Sequence, residues 1–465
     1  MKARWARWSC AAIAAAWGAA AVYFATRELP AGMRLDSPAQ ILAAGNVTFL
    51  DDITGADAYG HGFNTHSIFD TMLRIIGAAR GLVVLDCHRC TDLYRNAPDT
   101  VATLTPMGAQ LTAALLARKS ALPGLQVLVI ADPLNDLYGS QPSAQFAQLR
   151  AAGIQVVTAD LTRLRDRNVL YGGPWRLAFK WWNLPDNLKS SNRRVLIADD
   201  GHGALVALAG SAEPAMPSSI DSVTALEVSG PAVAPLLASE LQLARSFGWN
   251  GSIAPPAAAP PAAAPDAAEV LKFQWLGEGA IRDALLAHIA ATGRGDTIDI
   301  ATDSLSERAT ITALLAASRR GVAVRLILDP YKSASLWRSA NQSVGSELIA
   351  ASDGRIHVAW YRTHSERFAA ALVLIHGGGP TWMLTGSASL TRRDLGDYDL
   401  ALDAALAGAA EAAPLQSAQQ FFDTLWNDRG PPGIEYTADA DTWTDPSQLR
   451  YWAYRLMELL GISRT

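Results

Sequence analysis

Two apolar periods alternate along this chain. In residues 111–135, "LTAALLARKSALPGLQVLVIADPLN", apolar side chains recur at helical spacing, a short turn follows, and a β-branched run ends on Asp132-Pro133. The same order returns in residues 311–332, "ITALLAASRRGVAVRLILDPYK", which reaches Asp329-Pro330. Helical spacing predicts one buried helix face, and a short apolar run bounded by turns predicts a buried strand. Ahead of each lies a further helix-then-strand pattern, in residues 68–86 and 281–303. Behind each lies a strand pattern that runs to a Gly-Ser pair, in residues 193–214 (Gly210-Ser211) and 370–390 (Gly386-Ser387).

Strands alternating with helices predict α/β layers, and the repetition predicts two α/β repeats packed as a pseudo-two-fold bilobal unit with a shared site. Between the halves lies "APPAAAPPAAAPDAA", residues 254–268. Alternating Pro and Ala cannot build a core and favours extended polyproline, so the stretch reads as a semi-rigid linker. The expected boundaries are repeat 1 over 47–253, repeat 2 over 269–432 and a tail with a packed helix over 433–465.

The N-terminus breaks the alternation. Residues 8–26 carry no charge, with Lys2, Arg4 and Arg7 ahead and Arg27 behind. Nineteen residues at ~1.5 Å each cover about 28 Å, close to a bilayer's hydrocarbon core. Residues 1–7 then face the cytoplasm, 8–26 form a transmembrane signal anchor, 27–46 join it to the body, and the body lies outside. The alternative is a cleaved signal peptide ending near Ala19-Ala20-Ala21.

Of the 465 residues half are apolar, and the net charge is −5. That is ample material for a large core, and no nucleic-acid partner is expected. Cys87 and Cys90, in "DCHRC", offer a disulfide, idle thiols or a redox pair; with His88 they supply only three of the four ligands a zinc site needs.

Several stretches together resemble the phospholipase D superfamily: "FLDDITGADAYGHGFNTHSIFD", "VIADPLNDLYG", "GVAVRLILDPYK", "GSASLTRRDLGDYDLALDA" and "YWAYRLMELLGISRT". The resemblance spans nearly everything after the anchor and is nearest to membrane-anchored bacterial phospholipase D-like proteins. It implies two α/β repeats, each giving one His-x-Lys-x4-Asp motif and a later Gly-Ser-x-Asn. The implied chemistry is phosphodiester transfer without metal or cofactor. One histidine attacks phosphorus, the other protonates the leaving oxygen, and the lysines hold the charge that builds. Strand residues i and i+2 share a face, so His and Lys reach the phosphate together, while an Asp at i+7 points away.

This sequence departs at the reacting positions. The first motif falls on Asn192, Arg194 and Asp199, with Gly210-Ser211-Ala212-Glu213 downstream. The second falls on Ala369, Ala371 and His376, with Gly386-Ser387-Ala388-Ser389. Asparagine is neither nucleophile nor proton shuttle. Arg194 can hold an anion, and Ser211, Ser387 and Ser389 are residual anion contacts; Glu213 repels phosphate unless Arg194 neutralises it. His376 belongs at a strand end, about 23 Å of extended chain from Ala369. His364, near Glu366, is the remaining candidate for general acid or base. Losing a unit of reacting groups costs orders of magnitude in rate. The expectation is therefore a pseudoenzyme in the bacterial inner membrane, its body periplasmic, with a cleft that binds anionic phospholipid or a protein partner. The alternatives are a phosphodiesterase or phosphatidyltransferase using non-standard residues such as His364 or Asp199, and a redox protein using Cys87 and Cys90. Residues 172–182, "GGPWRLAFKWW", suit a bilayer interface. "TRRDLGDYD" reads as a salt-bridged helix start. Leu449, Trp452, Leu456, Leu459 and Leu460 mark the packed face of a last helix.

Overall fold

The computed structural model of the chain describes residues 2–30, 32–56, 62–93, 104–166, 189–254, 270–330, 340–364, 366–430, 433–443, 445 and 447–460. The Trp-rich stretch 172–182 and all but Ala254 of the Pro/Ala linker lie outside these residues.

The first half's strands, in chain order, are β1 (Gln40–Ala43), β2 (Val47–Asp52), β3 (Thr54–Ala56), β4 (Gly62–Asn64), β5 (Leu82–Cys87), β6 (Gln126–Ala131), β7 (Gln155–Thr158), β8 (Val195–Asp199), β9 (Leu205–Gly210) and β10 (Val223–Ser229). The second half adds β11 (Val270–Gly277), β12 (Thr297–Thr302), β13 (Ala323–Leu328), β14 (Ile356–Tyr361), β15 (Ala371–His376), β16 (Thr381–Gly386), β17 (Leu402–Gly408) and β18 (Thr437–Asp439). One sheet has seven strands, ordered β2-β10-β9-β8-β5-β6-β7. The other has nine, β1-β11-β17-β16-β15-β12-β13-β14-β18. Without its two outer strands, the second sheet repeats the first. The β5-β6-β7 and β12-β13-β14 runs are parallel, and the remaining neighbours in both are antiparallel. The duplicated α/β unit expected from the pattern is thus present strand for strand.

The parallel steps need crossovers, and the helices Met107–Ala121, Ala144–Ala151, Arg308–Arg319 and Asn341–Ala351 supply them. Side chains alternate along each strand, so both faces must be covered. Val83 and Leu85 point toward the outer helices of lobe one, joining Ile75, Leu111 and Phe146. Leu82 and Val84 point the other way, into a core shared by both sheets. That shared core takes Leu372, Leu374 and Met383 from lobe two, with Leu236 of helix Val233–Ser246 and Phe421 of helix Ala413–Trp426. The lobes therefore meet across an apolar layer.

The helix Lys2–Thr26 is largely exposed, and its stretch Trp8–Thr26 is a candidate membrane span. The connector after it does more than connect. β1 pairs with β11 in lobe two, whereas β2, only a 3-10 turn later, pairs with β10 in lobe one.

The last helix, Gln448–Leu460, reverses one expectation. Tyr454 and Met457 are buried, but Leu449, Trp452, Leu456 and Leu459, read from sequence as the packing face, point outward. Its inner face is held by polar bonds, among them Tyr454 Oη to the Ser306 carbonyl at 2.8 Å. Apolar periodicity alone does not show which side of a helix meets protein.

Candidate functional site

The two lobes meet at equivalent points on β8 and β15. Just before β8, Ser191 bridges to Leu400; just before β15, Phe368 bridges to Ser222. The supporting bonds repeat across the pseudo-two-fold axis. The Asn192 N–H donates to the Leu400 carbonyl at 2.7 Å, and Ala369 N–H donates to the Ser222 carbonyl at 2.8 Å. Asp132 Oδ2 accepts from Ser191 N–H at 2.7 Å, and Asp329 Oδ2 accepts from Phe368 N–H at 2.8 Å. Asp399 accepts from Ser190 N–H at 2.9 Å, and Asp221 from Arg367 N–H at 3.0 Å. The two Asp-Pro steps of the sequence are thus clamps: the proline ends β6 or β13, and the carboxylate fixes where the next lobe-crossing strand begins.

Asn192 and Ala369 occupy matching places in this frame. Asn192 is buried, and its Nδ2 reaches across to the Ser387 carbonyl at 3.1 Å. Ala369 is packed into the outer core of lobe one. Ala371 is buried, and its carbonyl accepts from Thr385 Oγ1 at 2.7 Å. No proton-carrying group stands at these three places.

Arg194 keeps a cation there, but not a free one. Its Nη2 meets Glu213 Oε1 at 2.8 Å, and its Nη1 donates to the Ser211 carbonyl. His88 Nδ1 meets the same Glu213 oxygen at 2.9 Å, and the Ser218 hydroxyl donates to the other oxygen at 3.1 Å. Arg89 lies 3.9 Å away. Burial alone would raise the Glu213 carboxyl; Arg194 and His88 reverse this and hold it well below the usual range. A carboxylate fixed this way occupies the position where the resemblance expects an asparagine beside phosphate. A cavity lined by Arg194, Glu213, His88, Arg89 and Ala212 opens beside it.

The serines are committed locally. Ser211 Oγ accepts from Thr224 N–H at 3.0 Å, and Ser387 Oγ accepts from Leu402 N–H at 3.0 Å, another symmetric pair. Ser389 donates its N–H to Asp394 Oδ2 at 3.1 Å, and its side chain bonds Asp303.

Asp199 and His376 lie at the far ends of β8 and β15. The Asp199 carboxylate accepts from the N–H groups of Arg80, Gly81, Leu82 and Gly201, holding a turn. Those four bonds outweigh its burial and lower its pKa. His376 Nδ1 meets Thr381 Oγ1 at 3.2 Å. His364, on the connection from β14 to β15, has a 39% exposed side chain with Nδ1 3.5 Å from Glu366 Oε1. Burial raises the Glu366 pKa. In "TRRDLGDYD", Thr391 caps the turn Arg392–Leu395, and Arg393 pairs with Asp399 at 2.5 Å. Cys87 and Cys90 form a disulfide.

Sequence reasoning missed two groups. The first is the ring of His88 and Arg89 around Glu213; the signal was their place inside the cysteine loop, read only as a metal or redox motif. The second is Arg193, which is fully buried and bonded to Glu278 (2.9 Å), Glu240 (3.1 Å) and the Met33 carbonyl (2.6 Å). Strand alternation sends Arg193 to the face opposite Arg194, a consequence readable from the "NRRVL" run.

Residues 285–426 match the family model described as cardiolipin synthase, PLD-like domain. Among solved structures, a phosphatidylserine synthase from Haemophilus influenzae Rd KW20 covers 92% of this chain and 94% of its own, at 9% identity and a TM-score of 0.55. Nuc, a phospholipase D family member from Salmonella typhimurium, matches 34% of this chain and 93% of its own, at 17% identity and a TM-score of 0.27. No curated protein sequence matches the chain. The likeness to the phospholipase D superfamily is thereby shown by a domain match in the second half and a fold shared over most of the length.

Proposed function

We propose that this phospholipase D-like chain is a membrane-anchored pseudoenzyme, one that has lost phosphodiester transfer and binds an anionic phospholipid headgroup in the old cleft. One observation carries the reading: the four places that would attack, protonate and hold phosphate are occupied by Asn192, Arg194, Ala369 and Ala371, and the single cation among them is ion-paired to Glu213. The cardiolipin synthase named in the matching domain description supports a phospholipid as the ligand class. A protein partner in the same cleft is the other ligand this reading admits. The positive charge of Lys2, Arg4 and Arg7 ahead of the span supports a cytoplasmic N-terminus and a body on the periplasmic face of the inner membrane.

In this reading Arg194, backed by Arg89, is the anion contact, and Glu213 sets its strength. An incoming phosphate must displace a carboxylate that already makes charge-assisted hydrogen bonds. The full-length chain in detergent, offered phosphatidylglycerol and a nucleotide phosphodiester, will release no product above blank. It will bind the lipid, about tenfold more weakly as Arg194→Ala and about tenfold more tightly as Glu213→Gln. The second reading, a working phosphodiesterase, is favoured by the His364–Glu366 contact. Turnover that vanishes on His364→Ala would replace the first reading with the second.

A further inference from the structure

On the side of the molecule facing the anchor's end is a cavity of about 400 Å3 that the cleft does not include. Five arginines line it, Arg165, Arg282, Arg308, Arg392 and Arg455, against two glutamates, Glu307 and Glu458. Some of this charge is answered. Arg165 pairs with Asp397 at 2.6 Å, Arg308 with Glu347 at 2.6 Å and Arg282 with Asp283 at 3.1 Å. Glu307 Oε2 accepts from Thr310 N–H at 2.6 Å. Among the described residues, neither Arg392 nor Arg455 meets a carboxylate: Arg392 donates to the Glu458 carbonyl at 2.5 Å and Arg455 to Tyr451 Oη at 2.7 Å. Two guanidinium groups that line the cavity, each lying over a tyrosine ring (Arg392 over Tyr398, Arg455 over Tyr451) and neither paired to a carboxylate, suit a phosphate, which they can hold bidentately.

Two further observations say where that phosphate would sit. The wall residue Arg165 donates from Nε to the Arg27 carbonyl at 2.7 Å, and Asp166 N–H donates to the Phe24 carbonyl at 2.9 Å. The cavity is therefore one arginine side chain from the last turn of the candidate span Trp8–Thr26. The helix Gln448–Leu460, which brings Arg455, Glu458 and Leu459 to the cavity, turns an apolar stripe outward. Leu449, Trp452, Leu456 and Leu459 are 79%, 63%, 55% and 71% exposed. Their spacing of three and four residues places them on one face. A free phosphate gives such a stripe nothing to bury, whereas a bilayer surface does.

We propose that helix Gln448–Leu460 lies in the surface of the membrane that holds the anchor, and that the arginine cavity beside it takes the phosphate of an anionic phospholipid headgroup. The site is separate from the cleft of Arg194, so its success or failure does not depend on the pseudoenzyme reading.

The full-length chain, extracted in mild detergent and titrated separately with phosphatidylglycerol and phosphatidylcholine, is assayed by native mass spectrometry. The expected result is at least tenfold greater retention of phosphatidylglycerol, with one fewer lipid bound in Arg392→Gln/Arg455→Gln whether or not Arg194→Ala is also present. In nanodiscs, backbone hydrogen exchange of residues 448–460 is expected to slow with phosphatidylglycerol and to return to the phosphatidylcholine level in Trp452→Ser/Leu456→Ser. Arg455→Lys, which keeps the charge, is expected to retain the lipid and so separates loss of binding from loss of folding. Equal retention of the two lipids, or retention unchanged in the double arginine variant, overturns the proposal. So does displacement of the lipid by equimolar inorganic phosphate, which would make this a site for free anions.

Discussion

Arg193→Met will destabilise the body by about 3–5 kcal/mol, the cost of removing one partner from a buried charge cluster. The substitution preserves most of the apolar stem, so the loss is electrostatic. Glu240 and Glu278 are both fully buried beside the guanidinium, and without it each is a carboxylate with no cation. Asp86 adds to the load: burial first, then Glu240, raises its pKa well above the normal range, while Arg193 opposes the rise. The cluster joins the entry to β8, the helix Val233–Ser246, the start of the helix Gly279–Ala291 and the segment at Met33, so its failure loosens both lobes and the segment after the N-terminal helix together. Thermal unfolding of the full chain in detergent measures the effect. Arg193→Lys will recover only part of it, because an ammonium cannot reproduce the fork that reaches Glu278, Glu240 and the Met33 carbonyl at once. Adding Glu240→Gln to Arg193→Met will restore part of the stability, since one stranded charge is removed. A loss below about 1 kcal/mol in Arg193→Met would show that the cluster is solvated and the account wrong.

Stability will rise as pH falls from 8 to about 5.5, and fall again below about 4. Burial lifts a set of interior carboxyls, among them Asp132 to about 6, and Glu278, Asp394 and Asp403 to about 7. Each binds its proton more tightly folded than unfolded, so protonation between the folded and unfolded pKa values favours the native state. Their cost is fully present above about pH 8 and gone near pH 4. Glu213 and Asp199 run the other way, because their folded pKa values are depressed and their contribution disappears as pH drops below the ordinary carboxyl range. Together these place the maximum near pH 5. The rise amounts to a few kcal/mol, visible as several degrees in melting temperature. Asp403→Asn keeps the bond accepted from Ala388 N–H and removes the titration, so it will flatten the slope between pH 8 and 5.5. A melting temperature that climbs steadily toward pH 8 in the parent chain would contradict this sign.

The fold was readable because it is local and repeated. Helix, turn, strand and Asp-Pro recur in residues 111–135 and 311–332, and the strands they encode fall at matching places in the two sheets. The strand-end positions of Asp199 and His376 follow from the period-2 geometry of β8 and β15. What the sequence hides is choice of partner. Arg194 and Glu213 are near enough in sequence to suggest a pair, but the arrival of His88 from the end of β5 is a tertiary event. The serine hydroxyls of Gly210-Ser211 and Gly386-Ser387 look free until the neighbouring strand supplies N–H groups to them. Leu449, Trp452, Leu456 and Leu459 have the spacing of a packed face, and spacing does not distinguish a protein interior from a bilayer. The Asp-Pro steps were visible as repetition, but their role as clamps on Ser191 and Phe368 needs the lobe crossing that only the folded chain makes.

The strand β1 has a consequence for how the chain can be divided. The two sheets share one strand order, and the Pro/Ala stretch lies between them in sequence. Yet a gene severed at that stretch would not encode two self-sufficient halves. The downstream product would lack the strand that covers β11, leaving an open ladder of N–H and C=O groups prone to self-association. The upstream product would carry β1 with no edge to join. One strand of the first half thus serves as an edge of the second half's sheet. The end of one strand set and the end of what it pairs with therefore fall at different points in the sequence.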